Sequence, residues 1–583
     1  MSRRSVTLVL SFTVLAAHAQ QGIEGRLLDA GNRAPLPYAS IVVKGAPAGT
    51  VTNAEGRFRI VAQEHDTLLF SYLGFRPKAL TGADVLHGPD ILLEPATTQL
   101  AELDVVGRST AEHRLLIRAA KILERTRPYT SKVYYELGTH AKEYPVEAIE
   151  CFYNATIHGA DIEALDLKNG RIAVAPEEGR YVMNLNTSKG FMLLHPTDRS
   201  SAFPGTPLQY RSVKALREHY DITLVSIVGS DPPLHRIRFE PRIADGSHFS
   251  GTAWVEPKEA IIHRLELRCD TCNRHPFLPY DPQGTLSDVA IRYALEWSGD
   301  AGSWSMDRIE LDYALTFRDR PDDPRMALRS GLGDRRMRTR GVMHFFDHDR
   351  PFILPVFHYD TEQMDYRKIL ALPFDSVFWR EAPLLLPTEQ QQRDLDLFAR
   401  HGMLTGRKAL DPNSRTGFFE SNMACWSADR RITLKNTRQT PYTAPMRSAV
   451  ADIERVHLVA QLFLNIDETP EGHRTFTSTV FDGFRSYHDL PEQPFTPVLL
   501  NLFFDLCEGE RRKLQIALEE PGLSLPRIRA LHAAAVRNME RTTDLFLRET
   551  HLGTDERALQ RWNDRVQREV GIDNLRMFGL KVE

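Results

Sequence analysis

The spacing of apolar residues changes along the chain, and this change limits the folds that the sequence can adopt. Between residues 22 and 350 most segments alternate apolar and polar residues, as in "GRFRIVA" and "SMDRIELDYALTF". This period of two puts every second side chain on one face of a β-strand. After residue 448 the apolar residues mostly follow the helical period, as in "RALQRWNDRVQREVG". The sequence predicts a multidomain α+β protein: an N-terminal β-sandwich, a middle domain with a curved antiparallel β-sheet, and a C-terminal helical bundle.

A length of 583 residues accommodates several domains. The predicted boundaries are a signal peptide at 1–19, the β-sandwich at 22–95, a linker and amphipathic helix at 96–130, the β-rich domain at 131–350, a mixed Pro-rich connecting region at 351–447 and the helical domain at 448–583. About four helices are expected in the last domain, the first over "SAVADIERVHLVAQLFLNID". A further helix is predicted to begin with a capping box of Thr388 and Gln391 and to end at Gly402.

The N-terminus has the three parts of a secretory signal peptide. Arg3 and Arg4 precede a short apolar run, and Ala17-His18-Ala19 forms a small-x-small cleavage site. We expect cleavage after Ala19, export from the cytoplasm, and a mature chain that begins at Gln20. No later segment is long and apolar enough to be predicted as a transmembrane helix.

The overall charge excludes one class of partner. The formal net charge is -4, so no general positive field would attract a polyanion. We therefore do not expect nucleic-acid binding.

Residues 22 to 95 contain short strand-like segments separated by Gly, Pro and Asn, a pattern typical of a small β-sandwich. In "TNAEGRF" we expect a tight turn, with Asn53 capping it and Gly56 supplying a positive φ. Phe58 and Ile60 should then point into the core.

The stretch "GRLLDAGNRAPLPYASIVVKGAPAGTVTNAEGRFRI" resembles the carboxypeptidase-regulatory-like, transthyretin-like domain. That domain also occurs at the start of TonB-dependent receptors, and Asn53 stands where the family usually has Asp. The resemblance implies a structural or interaction module of an exported Gram-negative protein, periplasmic or outer-membrane-associated. It does not imply peptidase activity.

The β-rich middle domain is predicted to form hairpins, the clearest in "TAWVEPKEAIIHRLEL". Before it, "AEHRLLIRAAKILERTRPY" predicts an amphipathic helix with Leu115, Ala119, Ile122 and Leu123 on its apolar stripe. In pattern, this combination is weakly similar to lipoprotein-carrier-like half-barrels, whose apolar concave face rests on a helix. We expect the protein to bind or scaffold an envelope partner, or to bind a glycan or lipid-like ligand in the curved sheet.

Five cysteines in an exported chain leave at least one without an internal partner. Cys269 and Cys272 enclose only two residues and precede a loop. We predict a disulfide between them; two free thiols, a redox pair and a metal site remain alternatives. The redox states of Cys151, Cys425 and Cys507 stay open.

Motifs for catalysis are weak. The chain lacks Gly-x-Ser-x-Gly, a P-loop and His-Glu-x-x-His. The His-x-x-Glu tetrads at His140 and His263 are expected by chance, and His263 and Glu266 should face opposite sides of a strand.

Asp505 and Glu508 share one helix face with Arg511 or Arg512 nearby, which predicts a solvated or interhelical ion-pair face rather than a metal site. We therefore assign no catalytic, cofactor-binding or metal-binding residue. The sequence predicts an exported envelope-associated binding or scaffolding protein that is not an enzyme. The alternative is a peptidase-like or other hydrolase with a dispersed active site.

Overall fold

The computed structural model describes residues 22–45, 49–98, 110–142, 144–174, 188–229, 232–278, 284–299, 304–318, 335–358, 365–382, 385–400, 404–405, 423–437, 456–488 and 493–581. The predicted signal peptide and Gly402 lie outside these residues. The chain separates into two compact units. The first contains Met1–Ala101, Ile227–Pro232 and Ala382–Gln392, and the second contains Glu102–Ser226, Pro233–Glu381 and Arg393–Glu583.

The first unit contains two small β-sheets that share a core. One has the strand order Arg57–Val61, Gly22–Asp29, Asp90–Leu93, and the other has the order Gly49–Val51, Ser40–Val43, Thr67–Ser71, Lys78–Thr81, with a short helix at Gly82–His87. Leu27 and Phe58 from the first sheet and Ile41 and Phe70 from the second belong to one buried cluster. The two sheets therefore enclose one apolar layer.

The turn predicted at residues 53–58 is confirmed. Asn53 Oδ1 accepts hydrogen bonds from the backbone N–H groups of Glu55 and Arg57, both at 2.9 Å. Gly56 has a φ of 75°, and a Cβ atom there would lie 2.5 Å from the Leu27 carbonyl oxygen. Both the backbone conformation and the space therefore require glycine at this position.

A long antiparallel sheet dominates the second unit. Its strands lie in the spatial order Leu404–Thr405, Asp161–Val174, Tyr144–His158, Tyr129–Ala141, Arg335–Phe346, Ser305–Arg318, Thr285–Ser298, Ile261–Cys269, Ser250–Glu256, Leu234–Pro241, Tyr220–Val228. Between Tyr220 and Phe346 the described strands are neighbours in the sheet in the same order as along the chain, which is a meander. The strand Arg335–Phe346 then pairs with Tyr129–Ala141, which joins this meander to the three strands between residues 129 and 174.

One face of this sheet, called here the inner face, packs against helix Ala111–Arg125 and the segment 188–219. That segment contains the short helices Lys189–Met192 and Val213–His219 and a 3₁₀ turn at Pro207–Gln209. Helix Ala111–Arg125 buries Leu115, Ala119 and Leu123 as predicted. Ile122 was placed on the same stripe and is instead 37% exposed, because Leu116 and Ala120 complete the buried face in its place.

The predicted connecting region contains the helices Asp365–Ala371, Ser376–Glu381 and Glu389–Arg400. The capping box of the last helix is confirmed: the Thr388 hydroxyl accepts from the Gln391 backbone N–H, and the Gln391 side chain accepts from the Thr388 backbone N–H. Phe378 and Trp379 pack against Phe152. They cover the outer face of the sheet, opposite the inner face, at the strand Tyr144–His158.

The C-terminal region combines a small sheet with helices. Its three-stranded sheet has the order Met423–Cys425, Gly472–Asp482, Ala460–Thr469, and Val456–His457 pairs with Tyr487–His488. Three long helices follow at Thr496–Leu518, Leu525–Glu549 and Glu556–Val570, with a short helix at Asn574–Met577 and 3₁₀ turns at Leu434–Asn436 and His551–Gly553. In the described residues no helix is long and apolar enough to cross a membrane.

The helix predicted over "SAVADIERVHLVAQLFLNID" is wrong where the structure describes it, because Ala460–Thr469 is a strand. This strand is buried on both faces. Leu462, Leu464 and Ile466 join the core beneath the helices, whereas Phe463 belongs to a separate cluster with Leu372. Burial on both faces removes the alternation that identifies a strand, so its apolar run was mistaken for a helix.

Candidate functional site

Cys269 and Cys272 lie where the strand Ile261–Cys269 meets its following loop. Both side chains are buried thiols in the structure. Cys269 Sγ lies 3.7 Å from the Gly246 carbonyl oxygen, and Cys272 Sγ lies 3.4 Å from the Cys269 carbonyl oxygen. A hydrogen bond between the two thiols lowers the pKa of Cys269 and raises the pKa of Cys272. The disulfide between them stays a prediction.

Four polar side chains on the loops beside these cysteines form a continuous chain of hydrogen bonds, called here the Tyr210 cluster. Tyr210 Oη lies 3.0 Å from His248 Nε2. The other ring nitrogen, His248 Nδ1, lies 2.7 Å from Ser247 Oγ. Ser247 Oγ in turn lies 2.5 Å from Asp245 Oδ1. The cluster thus joins a buried phenol to an exposed carboxylate.

The direction of each hydrogen bond in the Tyr210 cluster follows from the ionised Asp245 at one end of it. An ionised Asp245 can only accept, so Ser247 donates its proton to Asp245 and accepts one from His248 Nδ1. We therefore assign a neutral His248 protonated on Nδ1, whose Nε2 accepts from the Tyr210 hydroxyl. Burial, and then the nearby His219, lower the pKa of His248, and hydrogen bonds from Ser247 lower the pKa of Asp245.

Two glycines allow these loops to meet. Gly246 has a φ of 81°, and a Cβ atom there would lie 2.0 Å from the Thr271 carbonyl oxygen. Gly205 donates its backbone N–H to Ser247 O at 2.9 Å and accepts from Phe249 N at 2.8 Å. The Tyr210 cluster is therefore fixed by the backbone as well as by its side chains.

A second polar group lies on the outer face of the large sheet. Trp254 stands between Arg236 and Arg264 on the two neighbouring strands. The guanidinium carbon of Arg236 lies 5.4 Å from the centroid of the Trp254 ring, and that of Arg264 lies 5.5 Å from it. These distances allow cation–π attraction between the indole and both arginines. We call Arg236, Arg238, Thr252 and Trp254 the Trp254 surface.

The arginines of the outer face differ in their ion pairs. Arg264 binds Glu296 at 2.6 Å, and Arg308 binds the same carboxylate at 2.8 Å. Within the part of the chain that the structure describes, Arg236 and Arg238 have no ion-pair partner, and Arg236 Nε is buried without a hydrogen bond. Unpaired positive charge therefore collects at the Trp254 surface.

Among the described residues, the histidines of the two His-x-x-Glu tetrads contact other carboxylates. His140 Nε2 lies 2.8 Å from Asp394 Oδ2, while the glutamate of its tetrad is outside the described residues. His263 lies 3.8 Å from Glu256, whereas Glu266 binds Arg264 at 2.7 Å. Across the described ranges, no three His, Cys, Asp or Glu side chains are placed to hold a metal ion.

Asp505 and Glu508 form ion pairs, as predicted, but they are buried rather than solvated. Asp505 Oδ2 lies 2.5 Å from Arg431 Nη2, and Asp505 is fully buried. Glu508 binds Arg511 at 2.8 Å and Arg512 at 3.0 Å. The pairs are not interhelical: Arg431 lies in a loop, and the partners of Glu508 share its own helix. These carboxylates stabilise the C-terminal region.

Sequence reasoning identified neither the Tyr210 cluster nor the Trp254 surface. Tyr210 and His248 are 38 residues apart, and no motif relates them. The alternation in "GTAWVEP" does place Trp254 on the face opposite Val255 and Ala253. Its arginine neighbours depend on strand register, which the sequence does not specify.

The comparisons with known proteins cover parts of the chain. Residues 23–105 match the family model of the CarboxypepD_reg-like domain, which confirms the resemblance inferred from the sequence. This match corresponds to the first unit's two small sheets and the residues that follow them.

Two relatives share the N-terminal region. The TonB-dependent receptor SusC of Bacteroides thetaiotaomicron is 32% identical over 97 residues, which cover 16% of this chain and 9% of the receptor. The TonB-dependent receptor P26 of Formosa agariphila is 40% identical over 76 residues, which cover 13% of this chain and 7% of that receptor. The chain thus spans less than a tenth of the length of either curated relative.

Three solved structures each match less than half of this chain. A LolA superfamily protein from Nitrosomonas europaea matches 41% of this chain and 92% of its own, at 12% identity and a TM-score of 0.16. The MucB structure matches 40% of this chain and 93% of its own, at 12% identity and a TM-score of 0.17. A DUF1329 family protein from Desulfovibrio piger matches 44% of this chain and 95% of its own, at 10% identity and a TM-score of 0.17. Scores this low do not establish a shared fold, so function must be argued from this chain's own geometry.

Proposed function

We propose that this protein is an exported, envelope-associated binding or scaffolding protein of a Gram-negative bacterium, and that it binds a partner protein through the Trp254 surface. One observation carries the proposal: Trp254 stands between two arginines on the outer face of the sheet, while the inner face is filled. Tryptophan and arginine are enriched among the residues that dominate the binding energy of protein interfaces.

The inner face argues against the glycan or lipid-like ligand considered from the sequence. Phe191, Phe203, Phe249 and Phe277 are all fully buried on this side. Tyr293 donates a hydrogen bond to the Gly190 carbonyl oxygen at 2.5 Å, which ties the covering segment to the sheet. A ligand here would have to displace packed aromatic side chains, so we place binding on the outer face.

The proposed location is supported by the N-terminal region. Its matched domain is shared with two TonB-dependent receptors, and the first 19 residues have the signal-peptide pattern. We assign this domain an interaction or scaffolding role. N-terminal sequencing of the protein from an envelope fraction should give Gln20; an intact Met1 would contradict export.

The alternative of a hydrolase gains no support from the Tyr210 cluster. In a hydrolytic triad the imidazole accepts the proton of the nucleophilic hydroxyl. Here the Ser247 proton is directed at Asp245, and the Tyr210 hydroxyl occupies the accepting nitrogen of His248. The arrangement holds two loops together and leaves no base for a nucleophile.

The test is capture of a partner from envelope extract, with the chain from Gln20 as bait. A protein retained by the wild type should be lost with Trp254→Ala and retained with Arg336→Glu, which alters an exposed arginine of the same sheet. Reconstitution with the purified partner should reproduce this difference. Equal retention by both variants, or a lipid that co-purifies in equal amount with the protein, would contradict the proposal.

A further inference from the structure

The strand Leu234–Pro241 presents two arginines on one face. Arg236 and Arg238 are two residues apart, so their side chains leave the strand on the same side, about 7 Å from each other. Ile237 and Phe239 point the other way and are fully buried in the core. The spacing of the two guanidinium groups is therefore fixed by the backbone of a strand that is anchored from its inner side.

These two arginines differ from their neighbours in charge balance. Arg268 binds Asp270 at 2.6 Å, and Arg264 has Glu296 within 2.6 Å. In the described part of the chain no carboxylate approaches Arg236 or Arg238 in this way. The Trp254 ring, 5.4 Å from the Arg236 guanidinium carbon, covers part of Arg236. Stacking of this kind leaves the edge of a guanidinium available to a carboxylate.

We propose that the Trp254 surface binds an extended acidic segment of the partner protein, with Asp or Glu at alternate positions. This inference rests on the proposed function and specifies its partner. An extended peptide repeats its side chains on one face at the same period as a strand, about 7 Å. Successive carboxylates would therefore meet Arg236 and Arg238 together, each in a charge-assisted hydrogen bond.

The matching period favours an extended peptide, because alternate side chains of a peptide repeat at the spacing of the strand itself. Trp254 and Thr252 lie beside the two arginines on the neighbouring strand, at the register positions of Arg236 and Arg238. They would contact the residues between or beside the acidic positions. Because the contacts are ionic and partly exposed, salt should weaken the complex.

The experiment is a fluorescence-anisotropy titration of the full chain with a labelled peptide that alternates Glu and Thr. Arg238→Glu should weaken binding by about tenfold or more, whereas Arg336→Glu should change it by less than about twofold. Arg336 lies five strands away from Arg238 in the sheet, at about 24 Å, and its reversal changes the net charge equally. An equal loss with both variants would show a non-specific charge effect and overturn the inference.

Two further probes separate the remaining outcomes. A peptide of equal charge with Glu at every third position should bind more weakly; equal affinity would overturn the spacing argument. An oligouronate with the same number of carboxylates should compete poorly, and better competition than the peptide would assign the surface to a polysaccharide. If no acidic peptide binds but Trp254→Ala still loses the envelope partner, this inference fails while the proposed function stands. If neither effect occurs, both fail.

Discussion

Lys168 Nζ lies 2.9 Å from Asp467 Oδ1 and links the large sheet to the small C-terminal sheet. The lysine is 1% exposed, and its ammonium also donates to Asn465 Oδ1 and to the carbonyl oxygens of Ile353 and Ile466. The N–H groups of this buried ammonium therefore all have hydrogen-bond acceptors. These contacts join residues on both sides of the predicted boundary at residue 350, and both sides belong to the second compact unit.

Lys168→Met should lower the free energy of unfolding by about 1–3 kcal/mol, because the buried oxygen atoms around its ammonium lose their donor, although the Asp467 carboxylate keeps its ion pair with Arg474. Urea denaturation followed by circular dichroism measures this change. Lys258→Met is the matched control: Lys258 is 87% exposed, so its replacement should cost less than about 0.5 kcal/mol. Equal effects of the two substitutions would contradict the importance of the buried pair.

His344 should make stability depend on pH. Burial, and then the neighbouring Arg308, hold the pKa of His344 well below its usual value in the folded protein. The unfolded chain binds a proton near pH 6.5, so stability should fall as the pH drops below this value. Urea midpoints measured between neutral and mildly acidic pH test this. The dependence of the urea midpoint on pH should be weaker in His344→Gln. An unchanged dependence would assign the effect to other groups.

Gly56→Ala should destabilise the N-terminal module more than Gly45→Ala. Both glycines have similar positive φ values, 75° and 82°. At Gly56 the new Cβ would meet the Leu27 carbonyl oxygen, whereas at Gly45 none of the described atoms lies within 4 Å. Gly45→Ala should therefore cost about 1–2 kcal/mol from backbone conformation alone, and Gly56→Ala clearly more. Thermal melting of both variants separates the cost of the backbone conformation from the cost of the steric clash. Equal losses of stability in the two variants would exclude the clash at Gly56.

Cys269 and Cys272 should be joined in protein purified from the envelope, since exported proteins pass through an oxidising compartment. Alkylation under denaturing conditions without reductant, followed by mass spectrometry, should leave both cysteines unlabelled. Cys507, buried in a helix far from both in sequence, should be labelled and serves as the control. Full labelling of Cys269 and Cys272 would show that the thiols are free.

The sequence predicted those elements whose two faces differ in environment. Phe58 and Ile60 alternate with exposed residues on the strand Arg57–Val61, and both are buried as expected. The strand Ala460–Thr469 could not be recognised, because Phe463 and Leu464 point in opposite directions and are both buried. An alternating pattern identifies a strand most clearly when one face is solvated.

The functional surfaces were less predictable than the fold. The N-terminal module was recognised because its turn residues, such as Gly56, are determined by the local backbone. A short segment of sequence is enough to show them. The pairing of Arg236 with Trp254 and of Tyr210 with His248 depends on register and on loop paths across many residues. Physical signals for such contacts do not exist in a single sequence, so the structure was needed to place them.

The central claim is that the partner binds the outer face of the sheet and leaves the packed inner face unchanged. Hydroxyl-radical footprinting of the full chain, alone and with the captured envelope partner, tests this most directly. We predict that the partner protects Trp254 and the strand Leu234–Pro241, with no change in helix Ala111–Arg125. Protection or opening of that helix with Trp254 unchanged would place the ligand in the inner face and contradict the account.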